Sequence, residues 1–173
     1  VHYAKAWKEL KDLAEMLQIP VTTSLQGKSA FPESHPLALG SGGRAAPQPV
    51  YQAIDEADVI FGIGCSFAIT GFGLAMPAGK TYIHATLDPQ DLNKDVQAQH
   101  ALIGDAKLTL QALLKELGGV QTHDRGEVAT QISQRKEEWL SEWSPKLLSE
   151  EIPLSPYRVI SELMKVTDPD ETI

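Results

Sequence analysis

Glycines and polar residues follow four predicted strands, at the points where the chain leaves the sheet. The four turns begin at Leu25, Gly64, Asp88 and Gly104. In an open α/β sheet the carboxyl ends of parallel strands share one edge, and ligands bind there. Backbone N–H groups of glycine-rich turns can hold phosphate, and a carboxylate can accept a hydrogen bond from a ribose. The sequence leaves open whether Asp88 and Asp105 bind a ribose in this way or simply cap helices.

Other kinds of catalytic site have little support in the sequence. The five histidines lack the spacing of metal ligands, so we expect no metal site. Cys65 has no evident base partner, and no Gly-x-Ser-x-Gly motif occurs. Gly62-x-Gly64 lacks the third glycine of a dinucleotide-binding fingerprint. His84 lies within a predicted strand and is expected to be a hydrogen-bonded core histidine. We assign no catalytic residue.

Composition narrows the class of protein and its partners. The net charge of −8 and the absence of a basic block argue against a nucleic-acid partner. No apolar stretch approaches the ~20 residues of a membrane span, so we expect no membrane partner. A single cysteine excludes a disulfide framework and favours a reducing compartment, which predicts a cytoplasmic location.

The secondary-structure pattern predicts a doubly wound parallel sheet. The apolar run Val59-Ile-Phe-Gly-Ile-Gly-Cys65 is closed by glycines and predicts a central strand buried on both faces. Further strands are predicted over residues 19–24, 80–87 and 100–103. Helices are predicted over residues 5–17, 106–117, 128–143 and 157–166, and another begins at Pro47. A helical turn is predicted at residues 91–95. Residues 25–46 and 144–155 read as irregular or extended. Because the first helix has no strand before it, we expect a piece of a longer polypeptide whose first strand is missing.

Five sequence segments together resemble one family. They are Ile19-Pro-Val-Thr-Thr-Ser-Leu-Gln-Gly-Lys28, Phe31-Pro-Glu-Ser-His-Pro-Leu37, Ala57-Asp-Val-Ile-Phe-Gly-Ile-Gly64, Ile83-His-Ala-Thr-Leu-Asp-Pro89 and Leu102-Ile-Gly-Asp-Ala106. This combination resembles the central domain of thiamine diphosphate-dependent enzymes such as acetolactate synthase, benzoylformate decarboxylase and oxalyl-CoA decarboxylase. The resemblance implies a Rossmann-like α/β fold of the DHS-like NAD/FAD-binding type.

The resemblance also implies a larger parent enzyme. Residues 1–119 would be its central domain, 120–155 a linker and 156–173 the start of the diphosphate-binding domain. The parent would be a thiamine diphosphate- and Mg²⁺-dependent 2-keto acid decarboxylase or carboligase, a lyase or transferase, whose cofactors are bound by domains not present here. The fragment would be inactive alone. Its partners would be the other domains, in a homodimer or homotetramer. The alternative is a non-catalytic Rossmann-like module, nucleotide-binding or purely structural.

In some members of this family the central domain binds FAD or ADP. The positions implied for that site are Ser24, Leu25, Gln26, Gly42, Gly43, Gly64, Cys65, Ser66, Thr86, Leu87, Asp88, Gly104, Asp105 and Ala106. The acetolactate synthase branch carries Arg-Phe-Asp-Asp-Arg where this chain reads Ser66-Phe-Ala-Ile-Thr70. Because both arginines and both acids are missing, we expect weak FAD binding or none.

Overall fold

A computed structural model describes residues 1–119 and 126–168 of the 173-residue chain. The chain divides into two compact units, Val1–Ser133 and Gln134–Ile173. The strands all lie in the first unit. Within the described ranges, no helix is long and apolar enough to cross a membrane.

Helices and strands alternate through most of the first unit. The helices are α1 (Trp7–Leu17), α2 (Gln48–Glu56), α3 (Ala106–Leu117), α4 (Glu127–Leu147) and α5 (Pro156–Val166). The strands are β1 (Val21–Thr23), β2 (Ala38–Ser41), β3 (Val59–Ile63), β4 (Thr81–Thr86) and β5 (His100–Ile103), and a 3₁₀ turn follows β4 at Pro89–Asp91. The predicted helices and strands are found close to their expected positions.

The strands form two parallel sheets, β1-β2 and β3-β4-β5. This confirms the α/β class and is consistent with the Rossmann-like fold. The prediction that β3 is the central strand is wrong, because β4 is the middle strand of the three-stranded sheet. Val59 of β3 is 52% exposed, so β3 is not buried as its apolar sequence predicts.

Three further differences from the sequence predictions have local causes. The sequence does not predict strand β2, because Ala-Leu-Gly-Ser has no β-branched or aromatic residue, although Ala38 and Leu39 are buried. The helical turn starts earlier than predicted because Asp88 caps it and Pro89 opens it. Helix α4 continues beyond residue 143, through Pro145 in its last turn, where the missing proline N–H removes only one bond.

Helix α1 joins the two parts of the hydrophobic core. One buried cluster includes Ala14 of α1, with Val21 of β1 packed against it. A second cluster includes Leu13 of α1, with Phe61 of β3 packed against it. Leu10 packs against both clusters, so the apolar stripe of α1 spans from one sheet to the other.

Candidate functional site

The turns after β1 and β2 meet at the carboxyl ends of these strands. The Gly42 N–H donates to the carbonyl of Thr23 at 2.5 Å. The side chain of Leu25 lies 3.1 Å from where a Cβ on Gly43 would be. The Ser24 hydroxyl accepts a hydrogen bond from the N–H of Gly27 and closes its own turn. Through Leu25, the structure therefore brings the turn at 24–27 against the turn at 42–43.

The turns after β3, β4 and β5 form a second row at the same ends of their strands. The Gly64 N–H donates to the carbonyl of Ala85 at 2.8 Å, and the Gly104 N–H donates to the carbonyl of Thr86 at 3.0 Å. Gly64 has a φ of 64°, a conformation that favours glycine because a Cβ would be strained there. Positions 64, 86 and 104 are thus neighbours along the edge of the three-stranded sheet.

Residues 66–74, which we call the edge loop, reach from one row to the other. The Ile69 N–H donates to a carboxylate oxygen of Asp95 at 2.7 Å, after β4. The carbonyl of Phe72 accepts from the N–H of Arg44 at 3.0 Å, after β2. Leu74 packs so close to Gly42 that a Cβ there would lie 2.7 Å from its methyl carbon. The edge loop therefore covers part of the predicted ligand edge.

Both candidate carboxylates at this edge are engaged as caps. Asp88 accepts from the N–H of Gln90 at 2.9 Å. Asp105 accepts from the N–H groups of Lys107 and Leu108 at 2.9 and 3.1 Å, at the start of α3. Of the two interpretations that the sequence left open, this geometry favours the helix caps over a ribose contact.

Phe67 is a central residue of this region that the sequence did not single out. Its ring lies 4.9 Å from that of His84 and 5.5 Å from that of Tyr82, in edge-to-face geometry. It also fills the space where Gly62 lacks a Cβ. A glycine inside an apolar strand was the available signal for such a close approach.

His84 is buried beneath this ring, and the half-buried Cys65 lies beside it. His84 is 1% exposed, and its Nε2 lies 2.6 Å from the carbonyl of Cys65. The expectation of a hydrogen-bonded core histidine is thus met at one nitrogen, while Nδ1 is buried without a partner. Burial raises the pKa of the Cys65 thiol, so the thiol is a poor nucleophile at neutral pH.

A groove also opens beside the three-stranded sheet. It has a volume of about 350 Å³ and runs between β5 and α3. Its lining is mainly apolar, from Ala101 on β5 to Leu113 on α3, with Glu116 at one end. Within the described ranges no group of three His, Cys, Asp or Glu side chains is placed to hold a metal ion.

The sequence match identifies the family of this chain, and the parallel sheets are consistent with its fold. A family profile described as "Thiamine pyrophosphate enzyme, central domain" matches residues 1–113. The chain belongs to this family. The match ends within α3, and so covers both sheets and all of the turns described above.

Similar proteins include large subunits of acetolactate synthase. A probable acetolactate synthase large subunit from Methanococcus aeolicus is 34% identical over 93% of this chain and 28% of its own length. One from Methanocaldococcus jannaschii is 36% identical over 93% of this chain and 27% of its own length. Pyruvate oxidase from Lactiplantibacillus plantarum is 26% identical over 96% of this chain and 27% of its own length. The chain thus spans little more than a quarter of the length of these relatives.

For this central domain, the structure distributes the predicted site positions along one edge. Positions 24–26 and 42–43 form one group, and positions 64, 86 and 104 form another. Leu87 is 72% exposed beside the second group. The edge loop, with Ser66 as its first residue, contacts the first group at Gly42 and Gly43. Sequence reasoning found the turns but not the loop that links them.

Proposed function

We propose that this chain is the central domain of a thiamine diphosphate- and Mg²⁺-dependent enzyme that decarboxylates or joins 2-keto acids. The family match over residues 1–113 carries this proposal. The full-length relatives named as acetolactate synthase and pyruvate oxidase favour this reaction class. In the parent, thiamine diphosphate supplies the electron sink for decarboxylation, and domains outside this chain bind it.

In this proposal the central domain acts as a framework and has no catalytic residue. Residues 156–173, of which 169–173 lie outside the described residues, then begin the diphosphate-binding domain. The other domains of the polypeptide are the partners of this chain, in a homodimer or homotetramer. The chain alone is inactive. Release of carbon dioxide from pyruvate by this chain, supplied only with thiamine diphosphate and Mg²⁺, would overturn that part of the proposal.

The carboxyl edge of the sheets is the proposed nucleotide site, with ADP preferred over FAD. Backbone N–H groups at the glycine turns suit a phosphate group. The exposed Arg44, directly after Gly42 and Gly43, supplies a cation beside them. FAD binding is expected to be weak because the edge loop has neither arginine nor acid between Ser66 and Thr70.

Calorimetric titration of the chain with ADP and with FAD tests this site. Arg44→Ala should weaken ADP binding about tenfold, the effect of one charge-assisted hydrogen bond of ~1.4 kcal/mol. Lys115→Ala is the matched control, because it removes a cation from the last turn of α3, at the end away from the Asp105 cap. Failure of millimolar ADP to bind favours a purely structural domain. A purified protein with a flavin spectrum contradicts the preference for ADP.

A further inference from the structure

Strand β5 is an outer strand of its sheet. It pairs with β4 on one side, and in the described part of the chain no strand pairs with its other side. The Gly104 N–H, directly after β5, donates to a carbonyl of β4. Because successive residues of a parallel strand bond to opposite sides, His100 and Leu102 also bond to β4, whereas Ala101 and Ile103 turn their N–H and C=O groups outward. β5 therefore presents backbone groups to which another strand can bond.

The side chains of β5 do not protect this open edge. Natural edge strands are commonly protected by lysine, proline or a bulge, which discourage pairing with another chain. β5 reads His-Ala-Leu-Ile, with neither lysine nor proline, and Ile103 is 53% exposed. An edge of this composition suits pairing with a further strand.

The groove between β5 and α3 offers space for the side chains of such a strand. Its walls are Ala101, Leu102 and Ile103 on β5 and Thr109, Ala112, Leu113 and Glu116 on α3. The four α3 residues follow the spacing of a single helix face. The volume of about 350 Å³ is large enough for a ligand, and the mainly apolar lining suits small aliphatic side chains.

One end of the groove carries a negative charge. Of the described residues that line it, Glu116 is the only charged one, and it is exposed. Glu116 lies in the last turn of α3, where the helix dipole also favours a cation. Lys115 belongs to the same turn but is not part of the lining. A partner in the groove therefore gains from a lysine or arginine at this end.

The connection from β5 to α3 fixes the position of that end. α3 begins only two residues after β5, and runs back along it because both line the groove. Thr109 therefore lies toward the carboxyl end of β5, and Glu116 lies toward its amino end. Antiparallel edge strands are common on otherwise parallel sheets. In an antiparallel partner, the basic residue that reaches Glu116 comes at the carboxyl end.

We propose that the open edge of β5 and this groove form a docking site for an extended segment of a partner protein, which adds to the sheet as an antiparallel strand. The backbone of the segment bonds to Ala101 and Ile103. Small aliphatic side chains at alternate positions enter the groove. A lysine or arginine near the carboxyl end of the segment pairs with Glu116. This is strand addition to a sheet edge, with the groove and the acid supplying specificity.

A labelled peptide tests the docking site. Fluorescein-Gly-Val-Thr-Val-Thr-Val-Lys is titrated with the chain and followed by fluorescence anisotropy, and we expect a Kd of ~0.1 mM. The matched control peptide replaces the central valine and the threonine after it with proline, which cannot donate to a ladder. Because neighbouring residues bond to opposite sides, one of the two lost donors faces β5 in either register. The proline peptide should bind about tenfold more weakly or not at all.

Charge reversal tests the contact with Glu116. Glu116→Lys should weaken binding of the lysine peptide about fivefold or more, because an attractive pair becomes repulsive. A peptide that ends in glutamate should show the opposite preference and bind the Glu116→Lys chain better than the unchanged chain. Asp55→Lys makes the same change in net charge on α2 and should alter either affinity by no more than about twofold. Equal weakening of both peptides by Glu116→Lys would contradict the charged contact.

Amide hydrogen exchange measured by NMR locates the bound peptide. With millimolar peptide, exchange at Ala101 and Ile103 should slow by about tenfold, whereas exchange at His100 and Leu102, which already bond to β4, should not change. Absence of binding, equal binding of the proline peptide, or unchanged exchange at Ala101 and Ile103 would overturn the proposal. Protection of these two amides that rises with the concentration of the chain alone would also overturn it, because a second copy would then occupy the edge.

Discussion

Replacing Gly62 with alanine tests how the Phe67 ring is held. The new methyl group would overlap the ring carbons of Phe67 and lie 2.9 Å from the Cys65 sulfur. The ring must then leave its place beside His84 and Tyr82. Overpacking of this kind costs about 1–3 kcal/mol of unfolding free energy. Gly71→Ala is the matched control, because a Cβ at Gly71 meets no atom within 4 Å, and its effect should stay below ~0.5 kcal/mol.

The double-mutant cycle with Phe67→Ala separates overlap from general damage. Phe67→Ala alone removes a half-buried ring and should cost about 2 kcal/mol, below the ~3–5 kcal/mol for a fully buried phenylalanine. In the absence of that ring the alanine at position 62 has space. The double variant should therefore be about 1–3 kcal/mol more stable than the sum of the two single effects predicts.

These free energies are measured by urea unfolding, with the fluorescence of Trp7 as the signal. All variants are made in a background in which Trp139 and Trp143 are changed to phenylalanine. Trp7 then reports only on the first unit, because the other two tryptophans lie in the second. Additive single effects would refute the reasoning, since they would show that residue 62 and the ring do not meet.

Two further predictions concern the same edge. Asp105→Ala should cost about 1 kcal/mol in the same unfolding assay, because two N–H groups of α3 lose their acceptor. Asp105→Asn should retain most of the stability, and equal losses for both variants would argue against capping. Burial raises the pKa of the Cys65 thiol, so at pH 8 this thiol should react more slowly with a disulfide reagent in the folded chain than in urea. Equal rates in the two conditions would contradict the burial.

The sequence predicts elements whose signal is local. The stripe Leu10, Leu13 and Ala14 predicts α1, and Asp105 before an apolar run predicts the start of α3. Strand β2 has no such signal, because its four residues are held by their partner β1 and by burial. The edge loop and the Phe67 contact also depend on residues far apart in the chain. Local patterns carry no information about these contacts, so only the glycine at position 62 indicated them.

The edge loop gives a reason for weak nucleotide binding that is independent of the missing arginines. A ligand that contacts Gly42 and Gly43 must first displace the loop from them. That movement breaks the Phe72–Arg44 and Ile69–Asp95 hydrogen bonds and the Leu74 packing. With two bonds at about 1 kcal/mol each, opening costs at least ~2 kcal/mol. Only about one molecule in thirty is then open, and the apparent affinity for ADP falls by the same factor of about thirty. An ADP site at this edge should therefore bind weakly as long as the edge loop covers it.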